Sequence, residues 1–363
     1  MTQRKSNTTL TVPSVKLEIW QQLYAAAFEF RSMEMWKTFS ESEHFGFVHP
    51  DTGEYYIGSI LGELGEVFAL ILYHGDEGLR FCRSAMELSC EEGRNYLAFN
   101  MRCLMCDFVN KTNLHKEDKQ VLESLQVAVP RKRHMYPQFR AHRPAFVPWF
   151  VDSGEAEALR MGLVVAAKFC AEYGSEEGIG SYQHLPISHL PIYRLTGDDS
   201  GKPASWTAEI EPLPVPSEAE APDVLTAIPL DQVRQAYLKS ARLGQRDAVL
   251  QIDAFYLPSS VNEGFDRPRY VRVLLGVDAA SGMVLYTNIL SGDEDLGKEI
   301  WEGIFKIVQT AGGLPGVIQV RSAEIMGIVT PAMEELLVEV VRTENLDTLD
   351  EVKASLTSHM SRS

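Results

Sequence analysis

No stretch of this chain approaches the roughly 18 consecutive apolar residues that a membrane-spanning helix requires. The amino-terminal Met-Thr-Gln-Arg-Lys-Ser-Asn-Thr-Thr has no apolar segment behind its basic pair, so it does not read as a secretory signal. Cysteine is scarce: five residues, an odd number without framework spacing, fit a reducing compartment. A cytoplasmic location is therefore expected. Cations are in deficit, 34 Lys and Arg against 50 Asp and Glu for a net charge of −16, which opposes bulk attraction to nucleic acid or anionic lipid. A protein partner is expected ahead of nucleic acid, and no membrane. Catalytic signatures are also lacking. No Gly-Lys-Ser/Thr follows Gly62, Gly65, Gly75 or Gly78, so these glycines make no phosphate loop. No Gly-x-Ser-x-Gly elbow occurs. Cys103-Leu-Met-Cys106 has no second pair to complete a zinc site, His115 being the nearest further ligand, and it reads as core packing.

What is present is enough apolar character, 45% over 363 residues, for two packed cores rather than one. After a polar arm (1–13), Leu17, Trp20, Leu23, Tyr24, Ala27 and Phe28 recur at helical spacing, with Ser14 as N-cap. Tyr55–Leu61 and Glu66–Tyr73 flank Gly62-Glu-Leu-Gly65 as a β-hairpin. Helical spacing returns at 76–92, a strand is expected over 96–109 and a short helix over 115–125. The Pro-rich 130–150 stretch excludes regular helix, whereas 155–173 is amphipathic. Ile192–Leu195 and Trp206–Ile210 form a second hairpin. Residues 212–222, rich in Pro, Glu and Ala, read as a linker between an N-terminal domain (14–211) and a C-terminal one (223–345). The N-terminal domain is expected to be α+β with β-hairpins.

In the second part a helix over 230–243 precedes three β-rich runs between Ala248 and Leu290. An apolar helical stripe through Leu296, Ile300, Ile304 and Val308 ends at Gly312-Gly313, and the short, β-branched Gly316–Val320 makes a buried fourth strand. Thr330-Pro331 offers an N-cap and a proline at the first helical position, opening a helix to about Val341. Residues 346–363 read as a charged, fraying tail. The order is β-β-β-α-β-α in a mixed sheet, since a crossover helix sets the fourth strand parallel to its neighbour.

That order, with Leu250-Gln-Ile-Asp253 on the first strand and Arg269-Tyr-Val-Arg-Val-Leu-Leu-Gly-Val-Asp-Ala-Ala-Ser-Gly-Met-Val-Leu285 after it, resembles the ribonuclease-H/integrase-core fold. The whole chain, with Ile60-Leu-Gly-Glu-Leu-Gly-Glu-Val-Phe-Ala-Leu-Ile-Leu-Tyr-His-Gly75 and Pro144-Ala-Phe-Val-Pro-Trp149 in its first part, is similar to a bacterial pair of domains of unknown function. The resemblance to ribonuclease H implies carboxylates converging on two Mg2+ or Mn2+ ions: Asp253, an acid just after the fourth strand, and a third on the last helix. After Val320, however, the text is Arg321-Ser-Ala-Glu324, a cation at the expected ligand position. Glu324 and Glu334 are the acids left to join Asp253 in a nuclease. The simpler reading of Asp253 is a polar residue on the solvent face of an edge strand, shared with Gln251. No metal or cofactor is expected on that reading, and the domain is a binding or scaffolding module that has lost its catalytic set.

One candidate for anion or nucleic-acid binding remains. Arg131, Lys132, Arg133, Arg140 and Arg143, interleaved with Tyr136 and Phe139, fall in a stretch with no acid between Glu123 and Asp152. In so acidic a chain the competing reading is a structural loop, paired with acids and anchored by aromatic packing.

Overall fold

The computed structural model describes residues 12–87, 99, 101–126, 136–186, 188–197, 204–216, 232–241, 247–262, 266–290 and 296–360. The chain divides into two compact units, Met1–Ser217 with Gly264–Pro268, and Glu218–Glu263 with Arg269–Ser363. The stretch read as a linker lies, from Ser217 onward, outside the described residues.

In the first unit, α1 (Leu17–Met33) leads to strands β1 (His44–Val48), β2 (Tyr55–Leu61) and β3 (Ala69–His74), and then to α2 (Gly75–Glu87). β4 (Cys103–Val109), α3 (Lys116–Ser124), β5 (Tyr136–His142) and β6 (Trp149–Phe150) follow, then α4 (Ser153–Tyr173), α5 (Glu176–Gln183), β7 (His189–Thr196) and β8 (Ser205–Pro212). The eight strands form one sheet in the order β6-β5-β4-β3-β2-β1-β7-β8, parallel only where β1 meets β7. Both hairpins read in the sequence are present, as β2–β3 and β7–β8. The first helix starts at Leu17 behind Lys16, not behind Ser14.

Burial explains the layering. Phe30, Leu23, Phe169, Leu159 and the inward residues of β1 to β5 make one core on the face covered by α1 and α4. Leu79, Phe81 and Cys82 of α2 close the other face over Ile57, Ile71 and Ile192. α4 lies so close to β3 that a Cβ on Gly162 would press into the buried Leu72 side chain and force it to shift. Asp152 caps α4 by accepting from Glu155 N–H, and Glu155 returns the bond to Asp152 N–H.

The second unit holds α6 (Gln232–Ala241), β9 (Val249–Val261), β10 (Arg269–Asp278), β11 (Val284–Leu290) and α7 (Leu296–Ala311). They are followed by β12 (Val317–Val320), α8 (Ala323–Glu335), β13 (Glu339–Arg342) and α9 (Asp347–Met360). The sheet order is β11-β10-β9-β12-β13; β9 to β11 are antiparallel, while β12 runs parallel to both β9 and β13. Each face is covered. Ile300, Trp301, Ile304, Val308 of α7 and Ile325, Val329, Met333 of α8 pack on Leu250, Ile252 and Leu274. Leu346 and Leu349, at the start of α9, pack on Phe255, Val271, Val273 and Leu275 of the opposite face.

Two expectations fail here. The helix placed behind Thr330-Pro331 starts instead at Ala323, capped by the Ser322 hydroxyl, and carries Pro331 inside it. The carbonyl of Gly327 thereby loses its usual donor, and the Thr330 hydroxyl bonds one residue back, to Met326 C=O at 2.7 Å. The segment after Asn345 is no tail: a fifth strand precedes it, and the last helix is held by two fully buried leucines. Among the described residues, no helix is long and apolar enough to cross a membrane.

Candidate functional site

Asp253 sits on β9, the central strand of the second sheet, and is 5% exposed. The solvent-face reading is thus overturned: α9 covers that face, and Gln251, its neighbour on it, accepts from Leu349 N–H at 3.0 Å. In the parallel pairing of β12 with β9, Val320 stands beside Ile252, so the next step sets Arg321 beside Asp253. The guanidinium donates from Nη1 to Asp253 Oδ2 at 3.0 Å and from Nη2 to Asp350 Oδ2, on α9, at 2.7 Å. Its Nε donates to Glu344 C=O at 3.1 Å. The second Asp253 oxygen accepts from Ala254 N–H at 2.9 Å. Lys353, one α9 turn beyond Asp350, lies over the Phe255 ring at 4.6 Å and also attracts Asp253. Burial pushes the Asp253 carboxyl up, while Arg321 and then Lys353 pull it down. Two carboxylates and two cations thus balance in one place, a neutral cluster spanning β9, the end of β12, and α9.

The other acids do not join it. Glu324 receives Arg272 Nη2 at 3.3 Å, and Arg272 lies over Tyr256, which points to the face of β9 opposite Asp253. Glu334 is exposed on α8, whose apolar side packs on that same opposite face. Asp278 is bound into its turn by Ser281 N–H and Oγ at 2.7 and 2.6 Å. The acid on the last helix is Asp350, in the segment whose dense charges give it the look of a tail in the sequence. The cation implied by the fold resemblance does not fit this set. A guanidinium already fills the space between Asp253 and Asp350, and two carboxylates neutralised by Arg321 and Lys353 leave little charge for a divalent ion.

In the first unit, Arg131, Lys132 and Arg133 of the anion-binding candidate lie outside the described residues. The other four members are structural. Tyr136 and Phe139 are buried in the main core, Phe139 edge-on to Tyr24 at 5.0 Å, so neither offers a face to a base. Arg140 is 6% exposed and clasps Asp118 with two bonds, at 3.0 and 2.6 Å, while lying 4.4 Å over Phe150. Arg143 pairs with Glu155 at 3.0 Å. Cys103 and Cys106 belong to different cores on opposite faces of β4, so they cannot ligate one ion.

Residues 20–183 match the family model described as Domain of unknown function (DUF7309), and residues 237–357 match Domain of unknown function (DUF6930). No curated protein matches the chain. The DUF6930 match spans Asp253, Arg321, Asp350 and Lys353 together, so the whole cluster is internal to one matched domain. The Asp118–Arg140 pair falls in the DUF7309 match.

Proposed function

We propose that the DUF6930-matching part is a ribonuclease-H-like module in which Arg321 stands where the nuclease fold would hold its cations, and that the protein works by binding or scaffolding rather than by cleaving nucleic acid. The observation that carries the reading is the bridge from Arg321 to Asp253 and Asp350. Strand order β11-β10-β9-β12-β13, with β10 antiparallel to its neighbours and a last helix bringing the third acid, supports the fold comparison. Fold alone does not give function, so the residues at the site decide it. Two-metal phosphoryl transfer needs uncompensated carboxylates around the ions, and basic rails for the backbone beyond them. Here the acids are compensated from within. From Asp247 to Asn345 there are fifteen Asp and Glu against seven Lys and Arg, which offers no such rail.

The test is cleavage of single- and double-stranded DNA and RNA with Mg2+ or Mn2+. No turnover dependent on Asp253 is expected. Cleavage that disappears in Asp253→Asn refutes the proposal and restores the metal-nuclease alternative.

A further inference from the structure

We infer that Arg267, together with Arg143, is a binding site in the first unit for a terminal carboxylate group. The inference is separate from the reading of the Arg321 cluster and does not rest on it. Gly264–Pro268 belongs to the first unit, and Arg267 is 5% exposed. Its Nε and Nη1 are buried, and among the described residues neither finds an acceptor. Asp266 Oδ1 stands 4.0 Å away, beyond hydrogen-bond reach, on a side chain that is 77% exposed. A guanidinium cannot shed its proton, so a buried arginine ordinarily brings its acceptors with it. Arg140 in the same unit does so, giving two bonds to Asp118 and one to Phe139 C=O. Arg267 has the burial without the acceptors, and the group that supplies them must be an anion.

The main chain ties both arginines to one turn. Phe146 N–H donates to Arg143 C=O at 3.0 Å, and Val147 N–H donates to Pro268 C=O, beside Arg267, at 3.0 Å. Burial first, and then the neighbouring charge of Arg143, hold the Arg267 pKa below its ordinary value. The acids nearby are already engaged. Glu155 Oε1 accepts from Arg143 Nη2 and its Oε2 from Asp152 N–H, while Asp152 Oδ1 accepts from Glu155 N–H. Both acids sit at the amino end of α4, where the helix dipole offsets part of their charge. Charge then selects the ligand class. Two guanidiniums stand against the carboxylates of Asp152, Glu155 and Asp266, so a dianion such as phosphate meets more repulsion than a single carboxylate. A carboxylate also brings two coplanar oxygens that match the planar guanidinium edge. The enclosure of Arg267 admits only a slender terminal group, while Arg143, 39% exposed at its side chain, is open to what the carboxylate is attached to.

The experiment uses the full chain with 15N-labelled arginine, titrated with acetate against chloride at constant ionic strength. The Arg267 Nε–H signal, identified by its loss in Arg267→Met, is expected to shift saturably with acetate. Arg143→Gln should weaken that binding by about tenfold or more, as for loss of one central contact. N-acetylglycine in place of acetate reads the source: tighter binding assigns the carboxylate to a peptide end, equal binding to a small acid. A second readout needs no ligand. In chloride buffer Arg267→Met should melt at or above the temperature of the parent, because it replaces an unpaired buried cation with an apolar side chain of similar length. A signal indifferent to acetate, or one that follows chloride as closely, overturns the inference. So does acetate affinity unchanged in Arg143→Gln, or a lower melting temperature in Arg267→Met, which would make the arginine a member of a structural pair.

Discussion

Replacing Arg321 by Met keeps the aliphatic stem and removes the guanidinium, leaving Asp253 buried without its main partner. The two arms of the bridge are unequal. Asp253 is 7% exposed at its side chain and Asp350 41%, so losing the Asp350 arm costs at most about 1 kcal/mol, as for a surface pair. Stranding Asp253 costs more, and removal of one member of a buried pair typically costs about 3–5 kcal/mol. A loss of about 3–4 kcal/mol at neutral pH is expected, some 10 °C in melting temperature for a unit of this size. Asp253→Asn alone should cost about 1–2 kcal/mol, because Arg321 keeps Asp350 and the Glu344 carbonyl. The double variant strands no charge, so it should cost about 2 kcal/mol less than the sum of the two. The pH dependence has a fixed sign. The folded-state pKa of Asp253 is raised above its unfolded value, so the folded form keeps the proton longer and this group's contribution falls as pH rises between the two. Without Arg321 that window extends upward, and the cost of Arg321→Met shrinks as the solution is acidified. Urea unfolding at several pH values reads both effects. A cost under about 0.5 kcal/mol, or strict additivity in the double variant, would refute the argument.

Three further outcomes are expected from the first unit. Asp118→Ala should destabilise it by about 3–5 kcal/mol, since it leaves Arg140 buried and uncompensated; an effect below about 1 kcal/mol in chemical unfolding would contradict the pairing. Burial lifts the Asp107 carboxyl to about 6 against the pull of Arg140, so stability tied to it is present at low pH and lost as pH rises from about 4 to about 6. Asp107→Asn should therefore gain in melting temperature over the parent across that interval; a difference that does not change with pH would count against it. Burial pushes the Cys82 and Cys170 thiols up to about 12, and raises Cys103 and Cys106 as well. All four should resist a thiol reagent in the native protein and react on unfolding; peptide mapping that finds any of them labelled natively would show the core is open there.

The sequence carried the elements with strong local signals. The Gly62–Gly65 turn between β-branched runs, the Leu296–Val308 stripe and the Gly312 stop are each local, and each element appears where its pattern lies. One misreading at the carboxyl end spread to the site. Leu346, Leu349 and Val352 do recur at helical spacing, but Asp347, Asp350, Glu351 and Lys353 between them made the segment look like a solvated tail. Without α9, the face of β9 bearing Asp253 had nothing to cover it, and Asp350 could not be seen as the acid on the last helix. What the sequence did contain was Arg321 directly after the fourth strand; only the β9–β12 register shows which carboxylate it meets. The basic stretch was misleading for a different reason. Tyr136 and Phe139 are both taken up by the core, and Arg140 finds an acid 22 positions away in sequence, which no local pattern shows.

The central claim, that Arg321 occupies the cation position between Asp253 and Asp350, is tested most directly by Mn2+ titration followed by electron paramagnetic resonance. The wild-type chain and Asp253→Asn should bind the ion alike, because Asp253 faces a guanidinium in the native state. Mn2+ binding in the wild type that is lost in both Asp253→Asn and Asp350→Asn would contradict the account.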